Sequence, residues 1–137
     1  MLEKKNNSRP WALTFWLAVT LAVAGIIFWY SMFRPPGIGG FRINDKIAHA
    51  LAYAALAFSI CAAVASLRPA LSSVNLLLPA IGIAMLYGIS IEFIQPLFDR
   101  NCSVWDMLAD LLGGGAGWGV WIGAGALAAQ VGIRRRM

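Results

Sequence analysis

The 137-residue chain is 60% hydrophobic and 12% charged, about half the charge of an ordinary soluble domain, and it has length for one domain only. Its net charge of +5 does not mark a nucleic-acid binder, because the basic residues stand at the ends and in connectors and form no aromatic-interleaved stripe. Two cysteines, Cys61 and Cys102, are too few for a disulfide framework; one lies within an apolar segment and the other in a connector, so no pairing between them is expected.

In chain order, a short tail with Lys4, Lys5 and Arg9 leads into an uncharged run from Trp11 to Phe33. That run exceeds the roughly 7–15-residue apolar core of a signal peptide. Arg34-Pro35-Pro36 follows it where a small-residue cleavage site would stand, so it reads as a retained span. Its Trp11, Trp16, Trp29 and Tyr30 flank the two ends as interface anchors do. With only Thr14, Thr20 and Ser31 as interior polar groups, it is expected to pack outside the other three spans and add nothing to a site. A Pro/Gly connector, 34–46, separates it from a second span over 47–67, which stops at Arg68-Pro69. A third span is predicted over 74–98 and a fourth over 104–131. Each has about the 20 residues that a helix needs to cross a bilayer, and none alternates as a barrel strand does.

With four spans, the termini and the middle connector share one side. That side carries Lys4, Lys5, Arg9, Arg68, Arg134, Arg135 and Arg136, against Arg34, Arg42, Lys46 and Arg100 on the other. The richer side is the cytoplasmic one. Of the six acidic residues only Glu3 falls there; Asp45, Glu92, Asp99, Asp106 and Asp110 gather at the outer ends of spans two to four.

These outer groups form stripes. Asp45, His49 and Tyr53 follow i, i+4, i+8 on the second helix, Asp106 and Asp110 are i, i+4 on the fourth, and Glu92 and Gln95 are i, i+3 on the third. Lipid cannot satisfy such groups, so the three stripes are expected to face one another. Helical rise places His49, nineteen residues before Arg68, about 28 Å up its span, near the outer boundary. Asp110, twenty-four residues before Arg134 and about 36 Å from it, is expected in the outer interface. Glu92, about 24 Å above Leu76, is expected as the deepest carboxylate, with Arg100 or Lys46 as its compensating cation. Pro96, four residues after Glu92, frees a helical carbonyl there or simply ends the helix.

Four readings fit the cluster. It is a structural ion-pair network, a site for the phosphate-bearing head of an outer-leaflet lipid held by Arg42, Lys46, His49 and Arg100, a proton-coupled transport path, or a metal site. The last is the least favoured, because one histidine with scattered carboxylates is a weak ligand signature. In the fourth span, Gly113/Gly117, Gly115/Gly119 and Gly119/Gly123 stand four apart; such pairs let helices approach closely, within the chain more often than between chains. Gly113-Gly114-Gly115 is no phosphate loop, since no Lys-Ser/Thr follows.

The series Asp45-Lys46-(x)2-His49-(x)3-Tyr53, then Tyr87-Gly88-(x)3-Glu92-(x)2-Gln95, then Arg100-(x)5-Asp106-(x)3-Asp110-(x)2-Gly113 resembles the VanZ-like family of bacterial membrane proteins. The resemblance spans residues 43–119 in the family's order; Asp110 departs from it, standing where many members carry Asn. It implies a compact helical, multi-pass protein of the bacterial cytoplasmic (inner) membrane. The family's namesake is associated with low-level resistance to glycopeptide antibiotics of the teicoplanin type, whose target is a lipid-linked cell-wall precursor. No reaction is implied for members at large.

Together these readings predict an all-α, four-helix transmembrane bundle with both termini inside. Residues 1–10 and 132–137 are its tails and 11–131 its one domain. An outer polar pocket is expected to bind or modify a lipid-linked, phosphate-bearing envelope component. Glu92, His49 and Asp45 are the candidates for acid–base work; Lys46, Tyr53, Gln95, Arg100, Asp106 and Asp110 are the binding candidates. Membrane lipids are the expected partners, with no metal, cofactor or nucleic acid. The competing expectation is a non-catalytic subunit held in a larger membrane complex through the Gly-rich fourth helix.

Overall fold

A computed structural model describes residues 10–33, 44–99 and 103–134. Helix α1 spans Pro10–Phe33, α2 Asp45–Leu67, α3 Leu77–Ile94 and α4 Val104–Arg134. A 3-10 turn, Val74–Leu76, leads into α3 and another, Gln95–Phe98, ends it. All four helices are long and apolar enough to cross a membrane. The predicted boundaries at Phe33, Leu67, Phe98 and Val104 coincide with the observed ones, because each lies where a proline, a charge or a capping residue interrupts an apolar run.

The local stops are physical. Asn44 caps α2, its side-chain oxygen accepting from the Lys46 N–H at 3.0 Å, and Ser103 caps α4 by accepting from the Asp106 N–H at 3.3 Å. At Pro96 the missing N–H tightens α3 into its terminal 3-10 turn. That turn closes at Asp99, whose φ of 56° is left-handed.

The bundle's surface is far more apolar than a soluble protein's. Phe93 is 76% exposed while its neighbour Glu92 is 1% exposed. Leu78, Leu86, Leu97 and Leu112 also face outward, whereas Gln95, Asp106 and Asp110 are buried. An apolar jacket over an interior that buries carboxylates and an amide at one end is stable only where the solvent is hydrocarbon. The chain is a multi-pass membrane protein.

Helix α2 is central and touches the other three. Its Tyr53, Leu56, Ile60 and Cys61 pack with Leu76 at the entry to α3, Ala80 and Ala84 of α3 and Ile27 of α1. The tightest seam is α2 against α4. A Cβ added at Gly113 would lie 2.2 Å from the Ala50 carbonyl oxygen, and one at Gly117 would lie 2.1 Å from that of Ala54. The Gly113/Gly117 pair is therefore an intramolecular packing device, as its spacing allows. A Cβ added at Gly119, Gly123 or Gly125, on the same helix, would meet nothing within 4 Å among the described residues. At the opposite end of the bundle from Asp45, the Trp118 indole N–H donates to the Ser73 carbonyl at 2.9 Å.

Helix α1 lies on α2 at the periphery, as predicted. Its Thr14 and Thr20 hydroxyls bond to carbonyls of their own helix, at Pro10 and Trp16, which satisfies them without water. It is tied to α3 where the Tyr87 hydroxyl donates to the Ala24 carbonyl at 2.6 Å.

Candidate functional site

The stripe on α2 meets the stripe on α4 because the glycine seam brings the two backbones together one turn away. Lys46 Nζ pairs with Asp106 Oδ1 and donates to Ser103 Oγ at 3.3 Å. One turn deeper, His49 Nδ1 lies 2.8 Å from Asp110 Oδ1, and its Nε2 faces Asp106 Oδ2 at 3.9 Å, beyond hydrogen-bond range. The side chains of His49, Asp106 and Asp110 are only 10%, 7% and 2% exposed, so the pairing is internal, while that of Lys46 is 44% exposed at the mouth. The His49 ring runs parallel to Tyr53, with centroids 6.4 Å apart.

Helix α3 closes the third side. Glu92 is buried and its Oε2 accepts from the Ser103 N–H at 2.7 Å, at the head of α4, where backbone N–H groups have no helical partner. Gly88 lets α3 approach: a Cβ there would stand 3.0 Å from Asp110 Oδ2 and 3.1 Å from the Tyr53 hydroxyl. Polar groups from three helices thus converge at one end of the bundle.

Not all of them find partners. The Tyr53 hydroxyl, Glu92 Oε1 and both polar atoms of the Gln95 amide are buried with no hydrogen-bond partner among the described residues. Native interiors rarely leave such atoms unpaired, and each costs about 1–3 kcal/mol. Three neighbouring helical positions, one on α2 and two at the end of the third span, share this feature.

Of the sequence-predicted residues, Asp45, Lys46, His49, Tyr53, Glu92, Gln95, Asp106 and Asp110 all lie at this end; Arg42, Arg100 and Cys102 fall outside the described residues. Asp110 is as fully buried inside the bundle as Glu92, at 1% exposure each, because α2 and α3 cover it. Two expectations need correction. Of the two cations expected beside Glu92, Arg100 lies outside the described residues and Lys46 is taken by the Asp106 carboxylate, while Glu92 accepts a backbone N–H. The carboxylates are also not scattered about the histidine: Asp45, His49 and Asp106 each bring one ligand-type atom within 4.8 Å of the others. Ser103, which the polar stripes do not reveal, joins Glu92, Lys46 and Asp106. Its signal is the spacing Ser103-x-x-Asp106 ahead of an apolar run, a helix-start pattern.

No family model, no curated protein and no solved structure matches the chain.

Proposed function

We propose that the chain is a VanZ-like protein of the bacterial cytoplasmic membrane, with both termini inside, and that its polar site opens at the outer face and binds the phosphate-bearing head of an envelope lipid. The observation that carries this reading is the set of buried atoms on Tyr53, Glu92 and Gln95 that have no partner among the described residues. A network whose only task was to lock helices together would close on itself, since a half-satisfied polar network is worse than an apolar core. Donors and acceptors left open inside a membrane protein are what a polar guest requires.

Lys46 supports the phosphate reading. Its ammonium bridges the exposed mouth and the buried carboxylates, where an anion entering from the surface meets it first. The Asp110–His49 pair is suited to proton handling, because the carboxylate fixes the imidazole and leaves Nε2 facing the cluster; Glu92 and Asp45 are the further acid–base candidates. The outer-face assignment draws on the seven basic residues of the terminal side against four on the other.

The test is binding of a long-chain prenyl phosphate, compared with the matching prenyl alcohol, to the protein in nanodiscs. Wild type is expected to prefer the phosphate at least tenfold, and Lys46→Ala to lose most of that preference while staying folded. Equal binding of phosphate and alcohol overturns the reading.

A second reading, a non-catalytic subunit, draws on the open surface of α4 around Gly119, Gly123 and Gly125, where another helix could approach closely. A mild-detergent extract that runs only as free monomer or homo-oligomer counts against it.

A further inference from the structure

We propose that Asp45, His49 and Asp106 form a binding site for one divalent transition-series cation such as Zn2+ or Mn2+, with Asp110 as the residue that orients the histidine. The three residues come from the first two turns of α2 and the first turn of α4. Each offers a donor atom, and these atoms all lie within 4.8 Å of one another. Ligands sharing one ion at about 2.1 Å stand closer than that, so the three side chains would draw together on binding.

The histidine is what separates this cluster from a group of surface carboxylates. Its side chain is nine-tenths buried, and Asp110 Oδ1 lies 2.8 Å from Nδ1, which orients the ring. With the Nδ1 proton directed at Asp110, Nε2 would offer a lone pair toward Asp106 Oδ2, 3.9 Å away and beyond hydrogen-bond range, a separation that a cation shared by the two atoms would fill. A carboxylate behind a histidine is the arrangement by which proteins fix the tautomer and orientation of metal-binding imidazoles.

Charge points the same way. Among the described residues four carboxylates, Asp45, Glu92, Asp106 and Asp110, gather at this end beside one lysine and one imidazole, a donor set that a dication would suit. One imidazole with two carboxylates suits zinc or manganese better than calcium or magnesium, which prefer all-oxygen sets. Three protein ligands leave coordination positions open, and a phosphate oxygen is a suitable occupant. The cation site itself does not depend on the lipid reading.

The experiment uses the full chain in nanodiscs made of zwitterionic lipid only, stripped with chelator, then titrated with Mn2+ by electron paramagnetic resonance and with Zn2+ by metal analysis after dialysis. Wild type is expected to hold one equivalent. His49→Ala and Asp106→Asn are expected to weaken binding at least tenfold. Asp110→Asn, which leaves all three ligands in place, is expected to weaken it by about 10–100-fold, and Ser90→Ala, on the exposed face of α3, to leave it unchanged. Lys46→Ala is expected to tighten binding several-fold, because it removes the competing cation from Asp106; a misfolded variant cannot produce that gain. No stoichiometric metal on wild type, or weaker binding by Lys46→Ala, overturns the proposal. Metal binding with no phosphate preference leaves this site standing and removes the lipid reading; the reverse result does the opposite.

Discussion

Substituting Gly113 by Ala tests whether the glycine seam sets the site. The added methyl carbon would begin 2.2 Å from the Ala50 carbonyl oxygen and 2.8 Å from its carbonyl carbon. Both obstacles are backbone, so no side-chain rotation relieves them. Restoring ordinary contact at about 3.4 Å requires α2 and α4 to part by about 1 Å, and overpacking of this kind costs about 1–3 kcal/mol. Ala50 adjoins His49, and Gly113 lies one turn from Asp110. The same displacement would therefore stretch the 2.8 Å contact between His49 and Asp110 past hydrogen-bond range. The matched control is Gly119→Ala, whose methyl meets nothing within 4 Å and which gains helix propensity. Reversible unfolding in mixed micelles, followed by far-ultraviolet circular dichroism, is expected to show Gly113→Ala destabilised by at least about 1 kcal/mol and Gly119→Ala equal to wild type or better. Equal stability for the two variants, or the greater loss at Gly119, would refute the seam.

Two further outcomes follow from the site and its orientation. In a double-mutant cycle, His49→Ala and Asp110→Asn should couple by about 1–3 kcal/mol, because each leaves the other buried without its partner; additivity within about 0.5 kcal/mol would mean that the pair does not interact. Cys61 is fully buried, so Cys102 is the one reporter thiol. A membrane-impermeant maleimide should label it in intact cells and fail to label Cys102→Ser; labelling only after lysis would invert the topology.

Much of the fold was legible because lipid imposes so few options. Uncharged runs of span length, stopped by Arg34-Pro35, Arg68-Pro69 and Pro96, leave little freedom in where helices begin and end. Convergence of the stripes was legible for the same reason: His49, Glu92 and Asp110 have nowhere else to go. Partner choice was not. Whether Lys46 takes Asp106 or Glu92 depends on helix rotation, and the Ser103 N–H reaches Glu92 only because α4 starts beside the end of α3. The glycines show the limit most clearly. Gly113/Gly117 and Gly119/Gly123 have the same spacing, yet one pair meets the α2 backbone and the other meets nothing. Only the register of the facing helix decides between them. Counting residues from Arg134 likewise gave a distance along α4 for Asp110 but no information on how α2 and α3 cover it.

The most direct trial of the central claim, that this end of the bundle is built around a guest and not around itself, is the stability of Gln95→Leu. Leucine keeps about the volume of glutamine and removes an amide whose two polar atoms are buried and unpaired among the described residues. The account predicts a variant at least as stable as wild type, by up to about 1–2 kcal/mol, that has lost its preference for prenyl phosphate. A variant destabilised by several kcal/mol would show that Gln95 is part of a closed structural network and would contradict the account.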